Sequence, residues 1–199
     1  MKAGLQYRAS PGFQDRIAAT APDWLDVLVI DEADKETFAA EMADTDVLLH
    51  VLETVTADVI DAAPALRLIQ KIGVGVNTID LDGAAQNGVA VCNMPGTNSR
   101  AVAEMTLTLM LAALRRVPYF DSRMRGGKGW TANLNSFDGL GEIAGRTVGL
   151  VGYGDVVRLL APVLMAMGAH ILYTATSEKG DAEADWRELP HLLREADIV

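Results

Sequence analysis

Short apolar runs alternate with segments of helix length along the whole chain. Six of these runs are rich in β-branched residues and are predicted to be strands: Asp26–Ile30, Asp46–Val51, Leu68–Ile72, Val89–Cys92, Thr147–Val151 and Ile171–Thr174. Each run is nearly all apolar, which is expected of a strand that helices cover on both faces. Strands and helices in alternation form a parallel sheet with crossover connections, so the sequence predicts an α/β fold.

The segments between the strands carry helix boundary signals. Ser10 and Pro11 are typical of a helix start, Thr56 of an N-cap and Gly88 of a helix end. The predicted helices are Phe13–Ala19, Ala57–Ala63, Asp80–Asn87, Ala101–Val117 and Val156–Met167. The fourth of these is apolar nearly all round but shorter than the roughly 20 residues that span a bilayer. It is therefore predicted to be a buried helix of a globular protein.

The charge balance and the single cysteine argue against several classes of function. A net charge of −10 and a pI near 4.7 disfavour nucleic acid or a membrane surface as partner, because polyanions attract clustered Lys and Arg. Cys92 is the only cysteine, and no Cys/His spacing indicates a metal site. The first residues lack the apolar core of a secretion signal, so the cytoplasm is the expected location.

The stretch from Thr147 to Arg158 has the order strand, glycine turn, helix. In dinucleotide-binding folds the first glycine makes the tight turn, the second lets the backbone approach a pyrophosphate, and the helix N-terminus holds that group. The predicted cofactor contacts here are Gly152, Tyr153, Gly154, Asp155 and Val156. The third glycine position holds Val157, which weakens the motif. The alternative is an ordinary turn that binds nothing.

The residues after the second strand of this unit bear on the choice between NAD and NADP. An acidic residue is expected there to accept from the ribose hydroxyls, but the position holds Ala175. Without that carboxylate a 2′-phosphate would not be repelled, and Thr176, Ser177 and Lys179 could bind it. This favours NADP slightly over NAD. The alternative is that Glu178 reaches the ribose instead, as suits NAD.

Two further blocks, Lys71–Asp82 and Val91–Glu104, occur in the same order as in a known family and at plausible separations. Together with the Gly152 turn they closely resemble the D-isomer-specific 2-hydroxyacid dehydrogenases, over essentially the whole chain. The resemblance implies two doubly wound parallel-sheet domains. Residues 1–98 would form a flavodoxin-like substrate-binding domain, and residues 99–199 a Rossmann domain for NAD(P) that is incomplete on its C-terminal side.

The resemblance also assigns the substrate contacts. Bare backbone N–H groups at Gly73, Val74 and Gly75 would hold the substrate carboxylate, with Val74 also facing the cofactor and Asn98 facing the cleft. The alternative is a glycine turn that only connects a strand to the next helix. For Arg100 a role in the cleft and a structural ion pair between domains are equally open.

The family's acid–base residues have no counterpart in this chain. The family uses a His paired with Glu as general acid and an Arg to orient the keto acid, and none of His50, His170 and His191 matches that His. All three residues are expected after Val199, so the chain is predicted to be a fragment that is inactive alone. The loop Gly127–Trp130 resembles one that embraces a second subunit, which implies a homodimer.

The sequence therefore predicts an oxidoreductase that transfers hydride between NAD(P) and a small D-2-hydroxy acid or 2-keto acid, of the glyoxylate, hydroxypyruvate or phosphoglycerate type. No metal is required. One alternative is a dinucleotide-sensing or corepressor-like protein that has kept the fold and lost catalysis. A periplasmic binding protein with two α/β lobes is disfavoured by the missing secretion signal.

Overall fold

The computed structural model describes residues 1–129 and 134–199. The chain divides into two compact units, Met1–Thr97 and Asn98–Val199. Each unit has its own parallel sheet and its own cluster of buried apolar side chains. The predicted α/β class with two parallel-sheet domains is confirmed. The assignment of substrate to residues 1–98 and of cofactor to residues 99–199 stays a prediction.

The first unit is a five-stranded parallel sheet with strand order β2-β1-β3-β4-β5. Its strands are β1 (Lys2–Gln6), β2 (Asp26–Ile30), β3 (Val47–His50), β4 (Leu68–Lys71) and β5 (Ala90–Cys92). Its helices are α1 (Pro11–Thr20), α2 (Lys35–Met42), α3 (Ala57–Asp61) and α4 (Leu81–Gln86). This strand order is the flavodoxin-like one, in which ligands bind outside the carboxyl ends of the strands.

Strand β1 and helix α2 were not predicted from the sequence. β1 pairs in parallel with β2 on one side and β3 on the other, so it lies inside the sheet. Its apolar centre is only Ala3-Gly4-Leu5, too short to stand out beside the longer runs. Helix α2 begins at the N-cap Asp34, whose side chain accepts from the backbone N–H of Thr37 at 3.0 Å. Such a cap satisfies one of the free donors of the first turn.

The second unit has a three-stranded parallel sheet of order β6-β7-β8, formed by β6 (Thr147–Val151), β7 (His170–Thr174) and β8 (Asp185–Trp186). On the other edge of β6, Val148 forms a parallel bridge with Ile198. The resulting order, β8-β7-β6 and then Ile198, corresponds to strands 3-2-1-4 of a dinucleotide-binding fold. The helices of this unit are α5 (Ser99–Leu114), α6 (Val117–Arg125), α7 (Asp155–Ala166) and α8 (Leu189–Glu195).

Gly149 in the middle of β6 lets helix α8 approach the sheet. A Cβ at this position would lie 2.6 Å from Cδ2 of Leu192 and 2.9 Å from Cβ of Ala196. Leu192 is fully buried, so it has no room to move away. The glycine therefore fixes the spacing between this helix and the strand that leads into the second glycine turn.

The long apolar helix departs from the prediction in length and in burial. It ends at Leu114 rather than Val117, because Arg116 adopts a left-handed conformation (φ 52°) and α6 starts at Val117, with Pro118 in its first turn. In the single chain Met105 is 57% exposed and Leu109 61% exposed, so the predicted burial is not met there. Across residues 1–129 and 134–199, no helix combines the length and apolarity needed to span a membrane.

The predicted loop Gly127–Trp130 lies only partly within the described residues, since Trp130 falls outside them. Phe137, farther along the same segment, stacks on Phe120 of α6 with ring centroids 5.3 Å apart, although it stays half exposed. A short 3-10 helix, Leu134–Ser136, precedes it. The proposed role of this loop toward a second subunit stays a prediction.

Candidate functional site

The turn after β6 leaves a helix N-terminus open. Gly152 has φ +106°, a conformation that favours glycine, and its N–H donates to the carbonyl of Thr174 at 2.7 Å. Gly154 is the N-cap of α7 and offers no side chain to the helix, whose first N–H groups have no intrahelical acceptor. A Cβ on Gly154 would meet no atom within 4 Å. Within the described residues, the N–H groups of Asp155 and Val156 have no backbone acceptor outside the helix.

Val157, at the third glycine position, is accommodated in the fold. Its side chain is half-buried against the apolar core of the second unit. Helix α7 starts regularly, with the N–H of Arg158 donating to the carbonyl of Gly154 at 3.0 Å. The turn thus keeps the strand, glycine, helix arrangement although the close-packing glycine is absent.

The residues predicted to read the ribose follow β7, at the same sheet edge as the turn. Ala175 is half-buried against the core, whereas Thr176 and Ser177 are exposed. The backbone N–H of Lys179 donates to the hydroxyl of Tyr173 at 2.7 Å, and its Nζ lies 3.4 Å from Oγ of Ser177. The bond between Gly152 and Thr174 fastens this segment to the glycine turn.

An ion pair that the sequence reasoning missed lies at this turn. Nη1 and Nη2 of Arg158 donate to the two carboxylate oxygens of Asp181 at 2.7 and 3.2 Å. The same guanidinium lies over the ring of Tyr153, 5.1 Å from its centroid. The hydrogen bond from Arg158 lowers the pKa of Asp181 below its usual value. No local pattern pairs residues 23 positions apart, so only the fold could reveal this contact.

The turn after β4 presents three consecutive backbone donors. Gly73 has φ +152°, and its carbonyl accepts from the N–H of Met94 at 2.8 Å, while the carbonyl of Val74 accepts from Nδ2 of Asn93 at 2.8 Å. Within the described residues none of the N–H groups of Gly73, Val74 and Gly75 has an acceptor. Val74 and Gly75 are exposed and Gly73 is half-buried, so these donors are accessible.

Three buried polar side chains form a row at the carboxyl ends of β1, β3 and β4. Gln6, His50 and Lys71 are 7%, 3% and 8% exposed. His50 and Lys71 are register partners, and Gln6 follows the paired residue Leu5. Cε of Lys71 lies 3.3 Å from where a Cβ on Gly73 would be. A buried cation therefore lies beside the three free donors, a feature that the sequence reasoning did not identify.

The polar atoms of this row are only partly satisfied. Nζ of Lys71 donates to the carbonyl of Val51, and Nε2 of His50 donates to the carbonyl of Glu53. Nδ1 of His50 is buried and has no partner among the described residues. Burial, helped by the charge of Lys71, lowers the pKa of His50, so its ring is neutral near pH 7.

The remaining predicted residues lie elsewhere. Asn98 is the first residue of the second unit and the N-cap of α5, exposed and without a side-chain cap bond, and Arg100 is exposed two residues later. His170 lies 3.6 Å from Asp185 and His191 lies 3.9 Å from Glu188, both at the surface. In the described part of the chain no three His, Cys, Asp or Glu side chains group as metal ligands.

Comparison with known proteins agrees with this geometry. The family model for the catalytic domain of the D-isomer specific 2-hydroxyacid dehydrogenases matches residues 8–184. The chain belongs to this family. The resemblance that the glycine blocks indicated is thereby confirmed.

Three relatives illustrate the match. A glyoxylate reductase of Aeropyrum pernix is 35% identical over 172 residues, and a D-3-phosphoglycerate dehydrogenase of Mycobacterium tuberculosis is 34% identical over 186. These alignments cover 82% and 91% of the chain but 51% and 34% of the relatives. The crystal structure of an NADPH-dependent glyoxylate/hydroxypyruvate reductase from Sinorhizobium meliloti is 25% identical, with a TM-score of 0.81 over 98% of the chain and 61% of its own.

Proposed function

We propose that the protein transfers hydride between a nicotinamide dinucleotide and a small D-2-hydroxy acid or 2-keto acid. The observation that carries this proposal is the set of three free N–H groups at Gly73–Gly75 beside the buried cation of Lys71. Consecutive backbone donors form a concavity that suits an anion. Since the family acts on 2-hydroxy acids, the anion proposed for this turn is the substrate carboxylate.

Each part of the first turn has a distinct task in this proposal. Glycine at positions 73 and 75 keeps side chains away from the carboxylate, while the N–H groups donate to its oxygens. Lys71 does not need to touch the acid, because a buried charge acts over several ångströms in a medium of low dielectric constant. Asn98 is proposed as a further contact of the substrate.

The cofactor is proposed to bind at the second turn. Gly152, Tyr153 and Gly154 would pass beneath the pyrophosphate, and the N–H groups of Asp155 and Val156 would donate to its oxygens. The bound nicotinamide supplies or accepts the hydride. Val74 is proposed as a cofactor contact from the first unit. The residues at the ribose position slightly favour NADP over NAD. The ribose, with or without its 2′-phosphate, would contact Ala175, Thr176, Ser177 and Lys179.

Amide chemical shifts give a direct test of the first turn. In the 199-residue chain, titration with glyoxylate or hydroxypyruvate is expected to move the amide resonances of Gly73–Gly75 in a saturable way. The amide of Gly12, on helix α1, serves as the reference that stays in place. Shifts that are absent, or equally large at Gly12, would remove the proposed carboxylate site.

The cofactor proposal has its own titration. Nicotinamide fluorescence is expected to rise on binding of NADPH and NADH, with NADPH bound somewhat more tightly. Clearly tighter binding of NADH would overturn the preference for NADP.

Absorbance at 340 nm, followed with glyoxylate and hydroxypyruvate, then tests turnover. Since this chain covers only 51% and 34% of the two curated relatives, turnover is to be measured on a protein of their full length. Binding of the cofactor without turnover by that protein would favour the dinucleotide-sensing alternative, which none of the three relatives supports.

A homodimer is proposed through the apolar residues of α5. Val102, Met105 and Leu109 are 40%, 57% and 61% exposed in the single chain, which is unusual for a cluster of large apolar side chains. Sedimentation at rising concentration is expected to show a dimer. Substitution Leu109→Glu should shift the chain toward monomer, while Leu193→Glu on α8, also an exposed apolar position, should not.

A further inference from the structure

The ion pair between Arg158 and Asp181 lies next to residues 175–179, which are proposed to contact the ribose, since the N–H of Ala182 donates to the carbonyl of Lys179 at 3.1 Å. The guanidinium packs over Tyr153, the middle residue of the glycine turn. The ring of Tyr153 in turn contacts that of Tyr173, with centroids 4.4 Å apart. The hydroxyl of Tyr173 accepts from the backbone of Lys179. These contacts connect the segment bearing Asp181 to the turn beneath the pyrophosphate.

Of the two cations near this position, one already has a carboxylate partner. Arg158 is held by both oxygens of Asp181, in the bidentate geometry that a phosphate would also use. Nζ of Lys179 forms no ion pair with any described carboxylate, and its one side-chain hydrogen bond among the described residues is to the hydroxyl of Ser177. Lys179 is thus available to an incoming phosphate, whereas Arg158 is available only if its bond to Asp181 is broken.

We propose that Asp181 determines how well the protein binds NADP(H), because its carboxylate competes with the ribose 2′-phosphate for Arg158. This rests on the proposed function, in which the Gly152 turn binds a dinucleotide. A 2′-phosphate carries up to two negative charges, so it must displace the carboxylate or be repelled by it. NAD(H) has a neutral hydroxyl at that position and leaves the ion pair intact.

The pair is exposed enough to exchange its partner. The side chains of Arg158 and Asp181 are 40% and 67% exposed. Ion pairs this open to solvent contribute little to stability, so breaking one costs little. The lowered pKa of Asp181 means that it remains charged, and so competes, throughout the neutral range. The ion pair thus selects between the two cofactors without being needed for the fold.

The substitution Asp181→Asn tests the proposal. It removes the competing charge, keeps the shape of the side chain and frees Arg158, so affinity for NADPH is expected to rise about tenfold. Affinity for NADH should change by less than about twofold. Adenosine 2′,5′-bisphosphate and 5′-AMP probe the same position without the nicotinamide. In calorimetry, only the bisphosphate should bind Asp181→Asn more tightly than it binds the wild type.

The matched control is Glu183→Gln. Glu183 carries the same charge on the same segment, is exposed and forms no ion pair among the described residues. If Glu183→Gln raises NADPH affinity as much as Asp181→Asn does, the effect is one of net charge and the proposal is overturned. It is equally overturned if Asp181→Asn raises affinity for NADH and NADPH alike.

A double variant identifies the cation concerned. In Arg158→Gln with Asp181→Asn the gain for NADPH is expected to vanish, and a gain that persists would exclude Arg158 as the phosphate ligand. If the wild-type chain binds neither dinucleotide, the proposed function fails and this inference with it. If it binds them and Asp181→Asn leaves their ratio unchanged, only this inference fails. Thermal unfolding of each variant checks that the fold is retained.

Discussion

The two glycine turns follow parallel strands of the same kind, but the groups proposed to hold an anion differ between them. After β4, the turn Gly73–Gly75 is separated from the six-residue helix α4, and a buried Lys71 lies at its base. After β6, the turn Gly152–Gly154 leads straight into the twelve-residue helix α7. Leu150 and Tyr173 beside that turn are buried, so the surroundings of its base are apolar.

The difference indicates what each turn is suited to bind. At the first turn a side-chain charge and three N–H groups act together on a small volume, as suits one carboxylate. At the second turn the open end of a helix offers several N–H groups and the positive end of its dipole, as suits a pyrophosphate. In the proposed function the same strand and glycine pattern would therefore serve two ligands, and the neighbouring residues would distinguish them.

The substitution Gly154→Val is expected to have the largest effect on this comparison. Its backbone angles, φ −91° and ψ −166°, are allowed for valine, and the added side chain meets no protein atom near its Cβ. The fold should remain, while the space above the turn is filled. We expect affinity for NADH and NADPH to fall at least about a hundredfold, as nicotinamide fluorescence would show.

The control for this experiment is Gly12→Val on helix α1, where an added Cβ also meets nothing. It should leave cofactor binding unchanged. If Gly154→Val binds as the wild type does, the turn after β6 is an ordinary connection and the dinucleotide lies elsewhere.

The substitution Gly73→Ala tests the first turn through stability. Gly73 has φ +152°, which an L side chain rarely adopts, and the added Cβ would lie 3.3 Å from Cε of Lys71. We expect the free energy of unfolding in urea to fall by about 1–2 kcal/mol. Gly12→Ala, in a helix, should instead raise it by about 0.5 kcal/mol. Equal effects of the two substitutions would mean that the conformation of Gly73 carries no strain for alanine.

The sequence revealed both turns because their signals are local. A glycine pair after an apolar run is visible in a dozen consecutive residues, and so is the cap Thr56, whose side chain accepts from the N–H of Val59. The strands β4 and β6 were predicted to within one residue for the same reason. Features set by neighbours in sequence could therefore be predicted.

The features that could not be predicted from the sequence depend on pairing between distant segments. The position of β1 inside the sheet follows from its register with β2 and β3, and its short apolar centre does not indicate it. The register between β3 and β4 brings His50 beside Lys71. Asp181 meets Arg158 only after two strands and a helix have packed. A single sequence contains no local signal for such contacts.

The smallest expected effect concerns His50, whose burial distinguishes the first turn from the second. The pKa of His50 is lowered in the folded chain. Below about pH 6.5 the ring is therefore protonated in the unfolded chain but still neutral in the folded one. Stability from this group is thus complete above pH 6.5 and is lost as the pH falls through the lowered pKa. The slope cannot exceed about 1.4 kcal/mol per pH unit for one proton.

Urea unfolding between pH 5 and 8 measures this slope. In His50→Gln the loss of stability between pH 6.5 and 5 should be smaller than in the wild type, because the titrating ring is gone while a polar side chain remains. His170→Gln, at the surface, should keep the wild-type slope. An unchanged slope in His50→Gln would mean that the buried row beside Gly73 does not control stability in this pH range. The contribution of this row to the first turn would then come from Lys71 rather than from the titration of His50.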